Sequence, residues 1–414
     1  MTHMNNGGIP NHGYTHWWKM FNSLQLLVHS QLLRAIVNVS PSKHRWEVRE
    51  YVLGAFHNYL RNQSLLTFWH IKLDTIAPAL SNSNFHPKAT VVETGVFSPM
   101  GYGPWTSTIR ALMSSLEWAR APWELARIDE NLSSGADSEG RVGNTVKIPC
   151  TDTVSTPAII DCQSATDLAQ IKDGTIDLVV TDPPFGGLLH YAELADYFYV
   201  WHRLVLRERY PEKFTAEYTP KTLEAVANRA RQPDDPDAFY QRILTDCWRE
   251  AFRVLKPGGI LSFTFHHSED DPWVRVLESL FDAGFYLEAA YPIRSDETKG
   301  EGAKPGTFGS MTIEYDIIHV CRKRITEPQP ISWARLRRQI TDDVRRIKSL
   351  ISQHQKDGLP GADLQVIKRG KALEYFSRHY GKVYVEQGRE FTIREALAGI
   401  NSLLDDDTLS LIHI

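Results

Sequence analysis

The chain has 414 residues, 42% of them hydrophobic, with 11 Trp, 16 Tyr and 17 Phe. That composition fills a large core and excludes disorder as the main state. Lys and Arg number 46 against 50 Asp and Glu, a net charge of −4, so no global positive field advertises nucleic acid, although a single basic face is enough for such a site. Length alone suggests two to three domains, at ~150 residues each. No apolar run approaches the ~20 residues that span a bilayer, and the first residues lack the basic and apolar regions of a signal peptide. Cys150, Cys162, Cys247 and Cys321 form no CxxC pair, which argues against a disulfide framework or a zinc site built from cysteine pairs; no metal is expected, and the expected location is the cytoplasm.

The first third reads as helical, 1–130, with apolar residues at helical spacing over Met20–Ile36 and Val52–Leu60. Residues 79–105, rich in Asn, Ser, Pro and Gly, read as an irregular loop, Ser107–Arg120 as another helix, and 131–146 as a linker. An α/β pattern then occupies 147–325. Ile176–Thr181 is an apolar, β-branched strand that runs straight into Asp182-Pro183-Pro184-Phe185, and Leu188–Val205 has helical spacing. Asp235-Pro236 opens a strong helix, with a capping residue followed by proline at the first helical position. Lys256-Pro257-Gly258-Gly259 should end it before a strand at Ile260–Phe265. A helix from Asp271-Pro272, capped by Gly284, leads to strands at Phe285–Ile293 and Thr312–Cys321 separated by a glycine-rich loop.

This order describes half of a doubly wound α/β sheet, mostly parallel. The last two strands lack an intervening helix and so should pair antiparallel at one edge. A C-terminal helical extension, 331–408, follows. It has one helix with Trp333, Leu336 and Ile340 on its inner face and Arg335, Arg337, Arg338, Arg345 and Arg346 outside, and a last helix opened by the capping box Thr392–Glu395. The arginine face reads as a solvated surface, with phosphate contact as the sharper alternative.

Asp182-Pro183-Pro184-Phe185 carries the chemistry. The tetrapeptide arises by chance in roughly one chain in a hundred of this length, and here it stands at the carboxyl end of a strand, where open α/β sheets place ligands. An amine conjugated to a purine or pyrimidine is a poor nucleophile because its lone pair is delocalised. Two acceptors on its hydrogens, the Asp182 carboxylate and the Pro183 carbonyl held by proline's fixed backbone, would pull it toward sp³ geometry. Phe185 offers a face for stacking the base, and the nitrogen can then attack a sulfonium methyl in line, with positioning and electrostatics as the whole catalytic gain. The plainer alternative has the prolines ending the strand, Asp182 capping the next helix and Phe185 in the core. Upstream, in the turn that precedes the motif by one strand, Ser164 and Ala165 are candidates for reading a cofactor's adenine edge, as that turn would in a Rossmann-like methyltransferase, and Thr181 at the strand end is a further cofactor candidate; an ordinary turn fits equally. His266-His267 at a strand end read as surface or satisfied histidines sooner than as pocket lining.

Thr181–Phe185 followed by Tyr191–Trp201 resembles the large prokaryotic adenine-specific DNA methylases that carry an N-terminal domain of unknown function. The likeness extends to His12–Leu33, Lys256–Phe265, Asp282–Phe285, Ile318–Arg322 and the region around Ala362–Leu397. The resemblance implies a partial Rossmann-like class I methyltransferase sheet and S-adenosyl-L-methionine-dependent methylation of adenine N6 in DNA. It gives Asp182, Pro183, Pro184 and Phe185 the catalytic-motif roles, with a base flipped out of the duplex. Asp at the first motif position favours adenine over cytosine. Tyr191, Glu193 and Asp196 match the family's helix after the motif. Tyr191, Arg203 and Arg207 are candidates for nucleic-acid contact, and interleaved acidic residues make a solvated surface an equal alternative.

Two departures stand out. Phe appears where Tyr is usual in the motif, and no FxGxG cofactor loop is present; Phe97–Gly103 has the glycines without a preceding strand. The chain therefore reads as a C-terminal part of a longer or split methylase, with a separate N-terminal half or complex subunits as partners. The end, Leu409–Ile414 after Asp405–Asp407, resembles adapter read-through of a truncated reading frame, which a genomic stop codon after Ile414 would refute. RNA or protein amino-methyl transfer, and a non-catalytic DNA-binding subunit, are the competing functions.

Overall fold

The computed structural model describes residues 9–39, 45–71, 74–79, 92–99, 101, 103–127, 141–142, 145–150, 158–184, 186–187, 189–265, 270–294, 315–354, 370, 372–385 and 388–399. In chain order the elements are α1 (Ser23–Asn38), α2 (Arg45–Leu60), β1 (Phe68–His70), β2 (Thr75–Ala77), α3 (Trp105–Arg120), β3 (Trp123–Arg127), β4 (Arg141–Val142), β5 (Thr145–Pro149) and β6 (Ile176–Thr181). They continue with α4 (Tyr191–Leu206), α5 (Pro236–Val254), β7 (Leu255–Thr264), α6 (Asp270–Asp282), β8 (Phe285–Arg294), β9 (Tyr315–Lys323), β10 (Ile331–Ser332), α7 (Trp333–His354) and β11 (Val383–Tyr384). Two compact units divide the chain, one of Met1–Cys162 with Tyr191–Pro220, the other of Gln163–His190 with Lys221–Ile414. The helix that follows the motif thus belongs to the first unit and the motif itself to the second.

In the first unit α1 starts with a capping box: the Asn22 side chain accepts from the Gln25 amide at 2.8 Å and the Gln25 side chain from the Asn22 amide at 3.0 Å. Helices α1, α2 and α4 bury Phe21, Ile36, Phe56, Tyr59 and Tyr197. The Tyr197 hydroxyl donates to the Leu60 carbonyl at 2.9 Å. The region read as helical and linker also holds an antiparallel β1–β2 pair and an antiparallel β3–β5–β4 sheet; Arg141–Val142 and Thr145–Pro149 are strands, and the rest of 131–146 lies outside the described residues. These strands are two to five residues long, too short for periodicity to mark.

His29 sits fully buried in this core, edge-on to Phe21, Tyr59 and Trp201 at 5.1, 5.2 and 5.7 Å. Its Nε2 pairs with the Gln63 carbonyl at 3.1 Å. Burial, partly opposed by that carbonyl, lowers its pKa from 6.5 to about 4. The unfolded chain therefore binds the proton first, and stability present above pH 6.5 is lost as pH falls from there toward 4, by about 3 kcal/mol for this group. Melting temperature against pH should show that fall, and His29→Gln should reduce it, the remainder belonging to His202, whose pKa burial also lowers to about 4.

In the second unit the four-stranded sheet has the order β6-β7-β9-β8. β6 and β7 are parallel; β7–β9 and β9–β8 are antiparallel. The sheet is therefore mixed: β6, β7 and β8 run the same way and β9 alone is reversed, so the antiparallel strand expected at an edge lies inside instead. The pairing of the last two strands is antiparallel as expected, but β9 lies inside, between β7 and β8. β9 pairs with β8 along one edge and with β7 along the other.

Lys256-Pro257-Gly258-Gly259 does not precede the strand; it lies within β7 as an irregularity, where the partner register jumps from Ile176↔Leu255 to Leu178↔Ile260. α5 starts as read from its sequence, the Asp235 side chain accepting from the Ala238 amide at 2.9 Å with Pro236 behind it. Gly284 ends α6 at φ +99°. The core joins Trp248, Leu277 and Phe281 from the helices to Phe263 and Leu287 from the strands. Leu336, Ile340, Phe376 and Ile393 of the C-terminal extension pack into that same core. At 392–395 the Thr392 and Glu395 side chains bond one another and each other's backbone amides, and a helical segment at 393–399 follows.

Candidate active site

The apolar β6 strand delivers Asp182 to its carboxyl end beside the end of β7, because Thr181 pairs with Phe263 in the parallel register. The next residue of β7, Thr264, donates its hydroxyl to Asp182 Oδ1 at 2.7 Å. Asp182 is exposed, Pro183 buried and Pro184 half-buried. The second Asp182 oxygen and the Pro183 carbonyl have no hydrogen-bond partner among the described residues. The Pro184 carbonyl is taken instead by the hydroxyl of Tyr240, a buried residue of α5, at 2.5 Å. Phe185 lies outside the described residues, as do Leu188 and His266-His267.

A second clamp holds the loop. Gly186, at φ +59°, accepts from the Ala227 amide at 3.1 Å. A Cβ on Gly187 would stand 2.6 Å from the Ala227 carbonyl, so any side chain there would force the two strands of the loop apart. Asn228 Nδ2 meets His190 Nδ1 at 3.3 Å, and burial, then the Arg231 charge, lowers the His190 pKa. Arg231 is itself fixed, bonding Glu224 at 2.6 Å with both side chains largely buried and the Lys221 carbonyl at 3.2 Å. The segment 221–231 therefore braces 186–190.

The Ser164 hydroxyl bonds Thr166 Oγ1 at 2.8 Å and the Thr166 amide at 3.2 Å; Ala165 is exposed beside it. α5 holds this turn, Glu250 accepting from the Leu168 amide at 2.7 Å and Arg253 donating to the Leu168 carbonyl at 2.8 Å. The turn thus leaves Ala165 exposed beside the half-buried Ser164. Thr181 is half-buried as the last residue of β6. The glycines described just after β6, Gly186 and Gly187, already serve the motif loop. No second such turn is described for the amino-acid end of S-adenosylmethionine, so the residues present fit only part of that group.

In the other unit, Tyr191 is exposed at the start of α4 and Arg207 is exposed just past its end. Arg203 is committed: its guanidinium donates to the carbonyls of Phe214 and Ala216 through Nε, at 3.2 and 2.8 Å, and of Thr215 through Nη2, at 3.3 Å. Asp196 is buried and accepts from the Thr219 amide and hydroxyl at 2.8 and 2.6 Å, and Glu193 is buried with it. Both acids are thereby structural parts of the first unit. Among the described residues no His, Cys, Asp or Glu cluster is arranged to hold a metal, and no helix is long and apolar enough to cross a membrane.

Sequence reasoning did not single out Thr264, Tyr240 or Asn228. None of the three carries a local signal; Thr264 stands level with Asp182 only through the β6–β7 register of the folded sheet.

The second unit is a mixed α/β domain with an acidic-proline loop at a strand end. Among solved structures the chain is similar to TTHA0409 of Thermus thermophilus, a "Putative DNA Modification Methylase": 17% identity, over 59% of this chain and 93% of that one, with a TM-score of 0.23. The same protein complexed with S-adenosyl-L-methionine matches at 16% identity over 58% and 92%, with a TM-score of 0.21. No family model and no curated protein matches the chain.

Proposed function

We propose that the chain serves S-adenosylmethionine-dependent methylation of the exocyclic amine, N6, of adenine in DNA, with the base held at Asp182-Pro183-Pro184-Phe185. The observation behind this reading is the division of labour at the end of β6. Thr264 fixes one oxygen of Asp182 and Tyr240 takes the Pro184 carbonyl, which leaves one carboxylate oxygen and the Pro183 carbonyl as adjacent acceptors.

An amine offers two hydrogens, and this pair can accept both. Accepting them localises the nitrogen lone pair, and the carboxylate can take the proton that the amine loses when it is methylated. The acceptors are set before the base arrives, so little reorganisation is needed at the moment of reaction. The cofactor supplies the methyl group; Ser164, Ala165 and Thr181 are the residues of this chain proposed for its adenine end, and the rest of its site must come from residues beyond those described.

The test is transfer of a labelled methyl group to DNA, tRNA and protein in parallel. Label recovered as N6-methyladenine in DNA is the expected result. Label confined to RNA or protein would overturn the substrate, and no label together with no heat on titration with S-adenosylmethionine would overturn the activity.

A further inference from the structure

We infer that the N-terminal unit carries a second binding site, an aromatic pocket that takes one unpaired nucleobase of a single-stranded DNA. The site shares no residue with the Asp182 loop and does not depend on methyl transfer.

The pocket is a cavity of about 360 Å³ walled by Trp17, Trp18, Trp201 and Tyr218. Its aromatic walls are held rigidly. Trp17 is buried and packs edge-on to Tyr197 at 6.3 Å, which turns its neighbour Trp18 outward to 56% exposure. Trp201 is fixed from behind by Phe21 at 5.6 Å and Phe56 at 6.1 Å. Tyr218, 42% exposed, stands on an irregular loop stitched to α4. That stitching includes the three Arg203 bonds described above, the Tyr199 hydroxyl donating to the Ala216 carbonyl at 2.8 Å, and Thr219 donating to Asp196. Many hydrogen bonds thus hold an aromatic ring where it faces water. Rings kept rigid and wet lose the benefit of burial that a ligand would restore.

The chemistry of the wall selects the ligand. Flat indole and phenol faces suit a planar ring. Thr15, His16 and Glu217 add hydroxyl, imidazole and carboxylate groups that can meet a base's polar edge. A cation stands beside the Trp18 wall, where a phosphate backbone can reach it. Lys19 Nζ bonds Thr15 Oγ1 at 2.9 Å and lies 5.8 Å from the Trp18 ring centre. Arg203 lines the pocket with its guanidinium held by the loop carbonyls, and Arg207, just past the end of α4, is exposed. Stacking on rigid aromatics within a basic rim is the way single strands are held without sequence reading.

The test is titration of the full 414-residue chain with a short single-stranded DNA oligonucleotide, followed by tryptophan emission. Quenching is expected, and a strand of the same length with abasic positions should bind about tenfold more weakly because stacking is lost. Trp18→Ala and Tyr218→Ala alter exposed side chains, so melting temperature should hold while binding weakens about tenfold in each. Equal affinity for abasic and intact strands, or parent-like binding by both variants, would overturn the site. Tighter binding of RNA than of DNA of the same sequence would overturn the assignment to DNA. Binding without methyl transfer would count against the function proposed above and leave this site standing.

Discussion

Asp182→Ala should lower methyl transfer to DNA adenine by about 10²–10³-fold, the usual loss when one preorganised electrostatic partner of the reacting group is removed. The loss should appear in kcat, because the carboxylate matters most as the amine becomes nucleophilic, while the apparent affinity for DNA should change little. Asp182 is exposed and its hydrogen-bond partner in the structure is the Thr264 hydroxyl, at a strand end, so melting temperature should stay near that of the parent. Steady-state assays with labelled cofactor, alongside a thermal melt, give both readouts. An unchanged kcat would remove Asp182 from the chemistry and leave the motif as a strand terminator.

Trp273→Ala should cost about 3–5 kcal/mol, as expected for truncating a large buried aromatic. Trp273 is 2% exposed and meets Phe265 edge-on at 5.0 Å and His319 at 5.5 Å. It therefore joins α6 to the loop end of β7 and to β9. Set against a typical total of about 5–15 kcal/mol, the loss brings the second unit close to unfolding at physiological temperature. Chemical denaturation with a fluorescence or circular dichroism readout checks this. A shift below about 1 kcal/mol would mean that the core closes over the gap, which close-packed interiors rarely do.

Local chemistry was legible in the sequence, and partner choice was not. The start of α5 was readable because caps and prolines act within one turn, as the Asp235 and Pro236 pair shows. β6 and its acidic-proline end were readable because an apolar β-branched run needs no partner to be recognised. The insertion of β9 between β7 and β8 was hidden, since strand order depends on residues far apart in the chain. The absorption of Lys256–Gly259 into β7 was hidden for a similar reason: glycine and proline signal a turn locally, whereas the register with β6 accommodates them as an irregularity. At the site, Asp182 and its neighbours could be named from the chain, but Thr264 and Tyr240 became visible only through tertiary contact. Arg203 shows the converse. A cation in a basic stretch suggested phosphate, and its guanidinium is spent on three carbonyls of its own unit.

The first unit is assembled from two stretches separated by 163–190, which belong to the other unit. The rings that enclose His29 include Trp201, which the ribosome makes only after that intervening segment. Until α4 arrives, a nascent chain therefore presents Phe21, Phe56 and Tyr59 to solvent without their lid. A chain cut anywhere before Trp201 would leave Phe21, His29 and Phe56 without that ring for good.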